Sequence, residues 1–291
     1  MNNDPQPTRS VLEYDEDLYH RLSPDLTVRY RRSGRGDVAV IFIPGWTMSC
    51  EVFSHQLRHF AHSERYFAVS YDPRSQGLST RTGEGHHYEQ HARDLRAFIE
   101  HLGTRAILVG WSAGCITLFE YLRLFGQDQL DGVVVLDMPP RIRGYDRRTE
   151  WVDFGTCENG DQDGVLKGFC YDLHFDRDAF NQEFATWMLE DPSLGAVQFF
   201  SDMSSLTPNL VASQLIMSMQ FVDNTDVAEA IDATLPVMYF VRDEWHDLAG
   251  AWVREHAPHA DFESHGKHLM FWENPDRFNE ALDRFLSKIN S

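Results

Sequence analysis

Residues 108–115 read LVGWSAGC, an apolar run that stops on a serine hemmed in by glycines. The run has the character of a buried strand. The segment that follows, AGCITLFEYLRLFG, spaces its apolar residues at threes and fours, the period of a helix. Gly110 and Gly114 remove side chains where strand and helix crowd together, so Ser112 is expected on a strained turn with its hydroxyl held out at the end of a sheet. A helix N-terminus behind it would favour developing negative charge. A serine so placed is a predicted nucleophile, and it needs a base, an acid and an oxyanion site elsewhere in the chain.

Outward from this turn the same theme repeats. VAVIFIPG (38–45), YFAVSYD (66–72), RAILVG (105–110), GVVVLD (132–137) and LPVMYFV (235–241) are continuous apolar runs, the pattern of strands covered on both faces of a parallel sheet. TVRYRRSG (27–34) alternates instead, like an edge strand. Helical periods lie between them: in HYEQHARDLRAFIEHLG, Ala92, Leu95, Phe98, Ile99 and Leu102 share a face and Gly103 sits at the stop position. Alternating strand and helix predicts an α/β fold with a mostly parallel, doubly wound sheet. The alternation lapses over 140–234, an irregular stretch rich in aromatics and Met that reads as an inserted helical lid. The core is then expected in two parts, 1–139 and 235–291.

Composition limits the partners. The formal charge of −19, from 45 acidic against 26 basic residues, repels nucleic acid and anionic membranes. No apolar run approaches the roughly 18 residues of a membrane span, and MNNDPQPTRS lacks the basic start and apolar stretch of a signal peptide. Cys50, Cys115, Cys157 and Cys170 fall at irregular spacings that signal neither zinc site nor disulfide framework, so a reducing cytoplasm is the expected location. His87 and His91 stand four apart on a helix, a spacing that can hold zinc, but a lone pair at a helix start is expected to be solvated. No metal and no organic cofactor is implied.

The turn GWSAG (110–114) fits G-x-S-x-G, and the C-terminal SHGKHLMFWENPDRF (264–278) resembles the histidine segment of the α/β-hydrolase superfamily, G-H-x-x-x-x-E-x-P-x-x-F. Matching Glu273, Pro275 and Phe278 places the base at His268. Lys267 is inserted before it, which leaves His265 as a rival. FIPGW (42–46) resembles the family's strand-to-loop segment, with proline for its usual histidine. The resemblance implies an oxyanion hole made by the N–H groups of Trp46 and Ala113, although the Trp46 ring fits a pocket wall equally well. YDPRSQGLS (71–79) resembles the family turn D-x-R-G-x-G-x-S, with Ser75 where glycine is usual.

The acid has several candidates. In most of the family it follows the seventh strand, where this chain has Arg242 and then Asp243, with Asp247 further on. Asp137 stands directly at the end of GVVVLD, the position used by branches that include pancreatic-type lipases and the cofactor-free dioxygenases of 3-hydroxy-4-quinolones. Sheet ends on one edge open on the same cleft, so either position can reach the histidine. Asp137 is the favoured reading, ahead of Asp243 and Asp247.

Ser112, His268 and Asp137 thus imply a serine hydrolase of carboxylic esters, or of related amides, lactones or thioesters, acting on a small substrate that is apolar or aromatic. The resemblance also admits a cofactor-free dioxygenase of 3-hydroxy-4-quinolone-like rings, in which the His and Asp pair acts and the serine only positions substrate. A non-catalytic small-molecule receptor of the same fold is a third reading.

Overall fold

A computed structural model of the chain describes residues 17–154 and 167–289. MNNDPQPTRS and the part of the 140–234 stretch at 155–166, Cys157 included, lie outside the described residues.

The strands are β1 (Leu18–Ser23), β2 (Leu26–Gly34), β3 (Val38–Ile43), β4 (Tyr66–Tyr71), β5 (Ala106–Trp111), β6 (Leu130–Leu136), β7 (Val237–Val241) and β8 (Asp261–Ser264). They form one sheet in the order β1-β2-β4-β3-β5-β6-β7-β8, antiparallel at β1/β2 and β2/β4 and parallel elsewhere. The helices used below are α1 (Ser54–His59), α2 (Tyr88–Leu102), α3 (Ala113–Phe125), α4 (Arg177–Met188), α5 (Leu194–Ser205), α6 (Asn209–Met219), α7 (Thr225–Asp232), α8 (His246–His256) and α9 (Pro275–Ile289).

Side chains alternate across a strand, and here both faces are dry. Ala39, Ile41 and Ile43 of β3 pack in one layer with Leu95, Phe98 and Ile99 of α2 and Ile116 of α3. Val40 and Phe42 pack in the other with Leu57 of α1 and Phe278 and Leu282 of α9. This two-sided burial is why the strand sequences read as unbroken apolar runs. Helix α2 begins where the His87 side chain accepts the Gln90 N–H and ends at Gly103, whose φ of 68° needs the left-handed region that glycine enters freely.

β2 is not the edge its alternation predicts, because β1 covers it on the outer side. Its polar residues mislead because Arg29 points inward. There the guanidinium is buried and ion-paired with Asp17, Glu51 and Asp72. The 71–79 turn is built on the same cluster: Asp72 accepts the N–H groups of Cys50 and Leu78, both at 2.7 Å. Ser75 takes a φ of 60°, which explains the glycine that the family pattern carries at that position.

Between β6 and β7 the described chain is irregular over 137–154 and largely helical from 167 on, running through α4 to α7. These helices are tied to loops at the carboxyl ends of the strands. The Trp46 indole donates to the Ala212 carbonyl of α6 at 2.8 Å, and the Thr47 hydroxyl meets the Ser204 hydroxyl of α5 at 2.9 Å. Among the described residues no helix is long and apolar enough to cross a membrane.

Candidate active site

Ser112 sits between β5 and α3 with φ 53° and ψ −128°, a backbone conformation that costs a non-glycine residue about 1–3 kcal/mol. Neighbouring bonds hold it there: its N–H donates to the Leu136 carbonyl at 2.9 Å, and its carbonyl accepts from Cys115 N–H at 2.8 Å. The flanking glycines are required by space. A Cβ on Gly110 would lie 2.8 Å from the Cys115 Cα, and one on Gly114 would lie 2.3 Å from the Ile43 carbonyl oxygen. The Cys115 thiol beneath the turn donates to the Gly110 carbonyl at 2.9 Å, and burial pushes its pKa well up, so it stays a neutral packing group.

His268 is buried, with its ring 5.1 Å from those of both Trp111 and Trp187. The Trp111 indole donates to the His268 carbonyl at 2.9 Å. Its Nδ1 is hydrogen-bonded to Asp137 Oδ2, which leaves Nε2 as the nitrogen with no part in that pair. Asp137, fully buried at the end of β6 with φ 54°, also accepts from the Arg242 N–H at 2.9 Å and from Arg242 Nη1 at 3.3 Å.

The rival residues face elsewhere. Asp243 accepts the Gly266 N–H at 2.9 Å and closes the loop that carries the histidine. Asp247 lies in the first turn of α8, and the His265 N–H extends the β7 pairing to the Val241 carbonyl at 3.0 Å. Of the three candidate carboxylates, then, Asp137 is the one that the structure places against His268. His87 caps α2 while His91 turns into the core, and among the described residues no group of three or more His, Cys, Asp or Glu is placed to hold a metal ion.

Ser112, Ala113, Trp46 and His268 all line one cavity of about 330 Å³. Its wall is aromatic: Phe180, Phe184 and Trp187 project from one stripe of α4, and Phe154 and Phe169 face them. Trp46 packs edge-on against Phe169, Phe180 and Phe184, so its side chain does form pocket wall, as one of the two sequence readings had it.

A sequence model described as the alpha/beta hydrolase family matches residues 40–281. The chain belongs to this family. A bifunctional esterase/perhydrolase of Acinetobacter calcoaceticus is 31% identical over 126 residues, 43% of this chain and 45% of that protein. A non-heme haloperoxidase of Rhodococcus erythropolis is 29% identical over 104 residues, 35% and 38% of the two chains. The chain thus spans less than half the length of the curated relatives it matches. Among solved structures, a bromoperoxidase from Bacillus anthracis superposes with a TM-score of 0.79 at 21% identity, covering 94% of this chain and 100% of that one. An esterase from Exiguobacterium antarcticum gives 0.77 at 19%, covering 91% and 96%. At these identities the likeness shows the fold.

As an alpha/beta hydrolase, the chain carries groups in its site that the sequence did not single out. Arg242 follows β7 and stacks its guanidinium on Trp245, 3.4 Å from the ring centre. Asp153, Glu183 and Arg147 add charge to the cavity wall. The Asp153 carboxyl is raised above its ordinary value by burial, against the pull of Arg242 and His268. The signal for Arg242 was a charged residue ending an apolar strand next to the strand of Asp137. Asp153, Glu183 and Arg147 fall in the stretch without strand and helix alternation, where the sequence singled out no site residue.

Proposed function

We propose that this alpha/beta hydrolase cleaves carboxylic esters or related acyl bonds through an acyl-enzyme on Ser112. What carries the reading is convergence: the strained Ser112 and a His268 already paired with Asp137 open on one aromatic cavity. In the proposed cycle Ser112 Oγ attacks the substrate carbonyl carbon while His268 Nε2 takes its proton. Asp137 holds the imidazole and stabilises its cation. The N–H groups of Trp46 and Ala113 are assigned to the oxyanion, where donors fixed in advance stabilise charge as it forms. His268 then returns the proton to the leaving alkoxide, and water activated by the same nitrogen releases the acid. The helices between β6 and β7 serve as the lid. At about 330 Å³ the cavity is at the small end of ligand sites, roughly 300–1,000 Å³, so a short or single-ring acyl group is the expected fit.

A fluorophosphonate probe is expected to label wild-type protein and to leave Ser112→Ala unlabelled, and a p-nitrophenyl ester series should peak at short chains. Absence of labelling in folded wild-type protein refutes the reading. The placement of the acid at the end of β6 favours one second reading, the cofactor-free dioxygenase. It gains if Ser112→Ala keeps most activity on a hydroxyquinolone in an oxygen-uptake assay while His268→Ala loses it.

A further inference from the structure

The residue that follows β7, where most of the superfamily carries its acid segment, is here a buried cation facing the acid of the neighbouring strand. We propose that Arg242 is a positioning residue that locks the Asp137 carboxylate toward His268, an inference that rests on the serine-hydrolase reading above. It touches both oxygens of the carboxylate: its N–H donates to Oδ1 at 2.9 Å and its Nη1 donates to Oδ2 at 3.3 Å. Main chain and side chain of one residue therefore oppose rotation of the carboxylate about Cβ–Cγ. Each contact restrains one oxygen, and the two together fix both.

The guanidinium is itself held on several sides. Its face lies on Trp245, 3.4 Å from the ring centre, with Trp187 at 5.3 Å. Nη2 approaches Asp153 at 3.9 Å and Nε approaches Glu244 at 3.8 Å. Only 2% of the side chain is exposed. A planar group stacked and bonded in this way has little freedom to lose, which suits it to fixing another group's orientation.

The arrangement also bears on the imidazole. Nη1 stands 3.4 Å from His268 Nδ1, and a guanidinium has donors but no acceptor. With Asp137 ionised, the Nδ1–H and the Nη1–H both point at Oδ2, so the Nδ1 proton is directed to the carboxylate and Nε2 is left with its lone pair for the serine. A fully buried carboxylate also needs such a partner, because an uncompensated charge in the interior is strongly disfavoured.

The test begins with wild-type protein: labelling at Ser112, lost in Ser112→Ala, establishes the acyl-enzyme, and its absence refutes that reading whatever Arg242 does. Arg242→Ala, checked for folding by circular dichroism, is then expected to lose about 10²-fold in kcat with KM little changed, because a misplaced catalytic group costs on that order. Fluorophosphonate labelling should slow in parallel, and added methylguanidine should restore much of the rate. If Arg242→Ala does not fold, Arg242→Lys keeps the charge and loses the planar fork, and its expected loss is smaller but again in kcat. The proposal is overturned by a kcat within about threefold of wild type in a folded variant. It is equally overturned by a loss carried by KM alone, or by a loss in folded Arg242→Ala that methylguanidine leaves unchanged.

Discussion

Gly114→Ala is a one-methyl perturbation of the serine turn that removes none of the proposed reacting groups. The added Cβ would stand 2.3 Å from the Ile43 carbonyl oxygen, 2.8 Å from the Pro44 carbonyl oxygen and 3.0 Å from the Ile43 carbonyl carbon. All three are backbone atoms, so no side chain can swing aside. Ordinary contact begins near 3.4 Å, and the two backbones must part by about 1.1 Å. Gly114 moves with Ser112 and Ala113, whereas Ile43 and Pro44 lead to Trp46, so the displacement separates the two proposed oxyanion donors. A misplacement of that size costs about 10²-fold in rate, and overpacking costs about 1–3 kcal/mol of stability. The assay is kcat on a p-nitrophenyl ester beside a thermal melt. Gly103→Ala is the control: nothing lies within 4 Å of the added methyl, and only the left-handed φ of 68° is penalised, so stability falls by about 1–2 kcal/mol and kcat stays. A folded Gly114→Ala enzyme with kcat within about threefold of wild type would refute the reasoning.

Asp137→Asn is expected to lower kcat by about 10⁴-fold, while Asp243→Asn, which disturbs only the bond to Gly266, stays close to wild type. The reverse order in steady-state kinetics would reassign the acid. Phe184→Ala should enlarge the cavity and move the best p-nitrophenyl ester toward longer chains by kcat/KM; an unchanged optimum would show that Phe184 does not bound the acyl site. Burial, with the charges of Arg74, His86 and His87, holds His91 down at about 3 from its ordinary 6.5, so the folded protein keeps it neutral. The stability tied to the neutral ring is present above about 6.5 and lost as pH falls toward about 3, at about 1.4 kcal/mol per pH unit. Between pH 6.5 and 4.5 wild type should therefore lose about 2–3 kcal/mol more than His91→Leu in chemical denaturation, and parallel profiles would contradict the assignment.

What the sequence revealed follows from how each residue's surroundings act on it. β3 to β7 were legible because burial on both faces leaves an apolar run, and the serine turn because its two glycines answer a steric demand within a few residues. β1 and β8 were not, since LYHRLS and DFES are only partly buried and carry polar residues on the pattern of a loop. His268 was singled out through its match of Glu273, Pro275 and Phe278 to the family segment. The structure shows what that glutamate does: it accepts the N–H groups of Glu190 and Asp191 at 2.9 and 3.0 Å. The choice among Asp137, Asp243 and Asp247 depended on side-chain direction at the ends of adjacent strands, which no local pattern records. Arg242 left a local trace as a charge ending an apolar strand, but its partner Asp137 lies 105 residues away in sequence, so the trace did not say what it binds.

The bonds from Glu273 to the chain after α4 belong to a larger set of ties. Lys267 Nζ donates to the Leu189 carbonyl at 3.0 Å, and the Leu269 N–H donates to the Met188 carbonyl at 3.3 Å. The loop carrying His268 is thus fastened on both sides to the C-terminal end of α4, the helix that supplies Phe180, Phe184 and Trp187 to the cavity. The His268 loop and the aromatic wall are thereby joined through the end of one helix. Because those bonds flank His268, the position of its imidazole against Asp137 depends on where the C-terminal end of α4 sits.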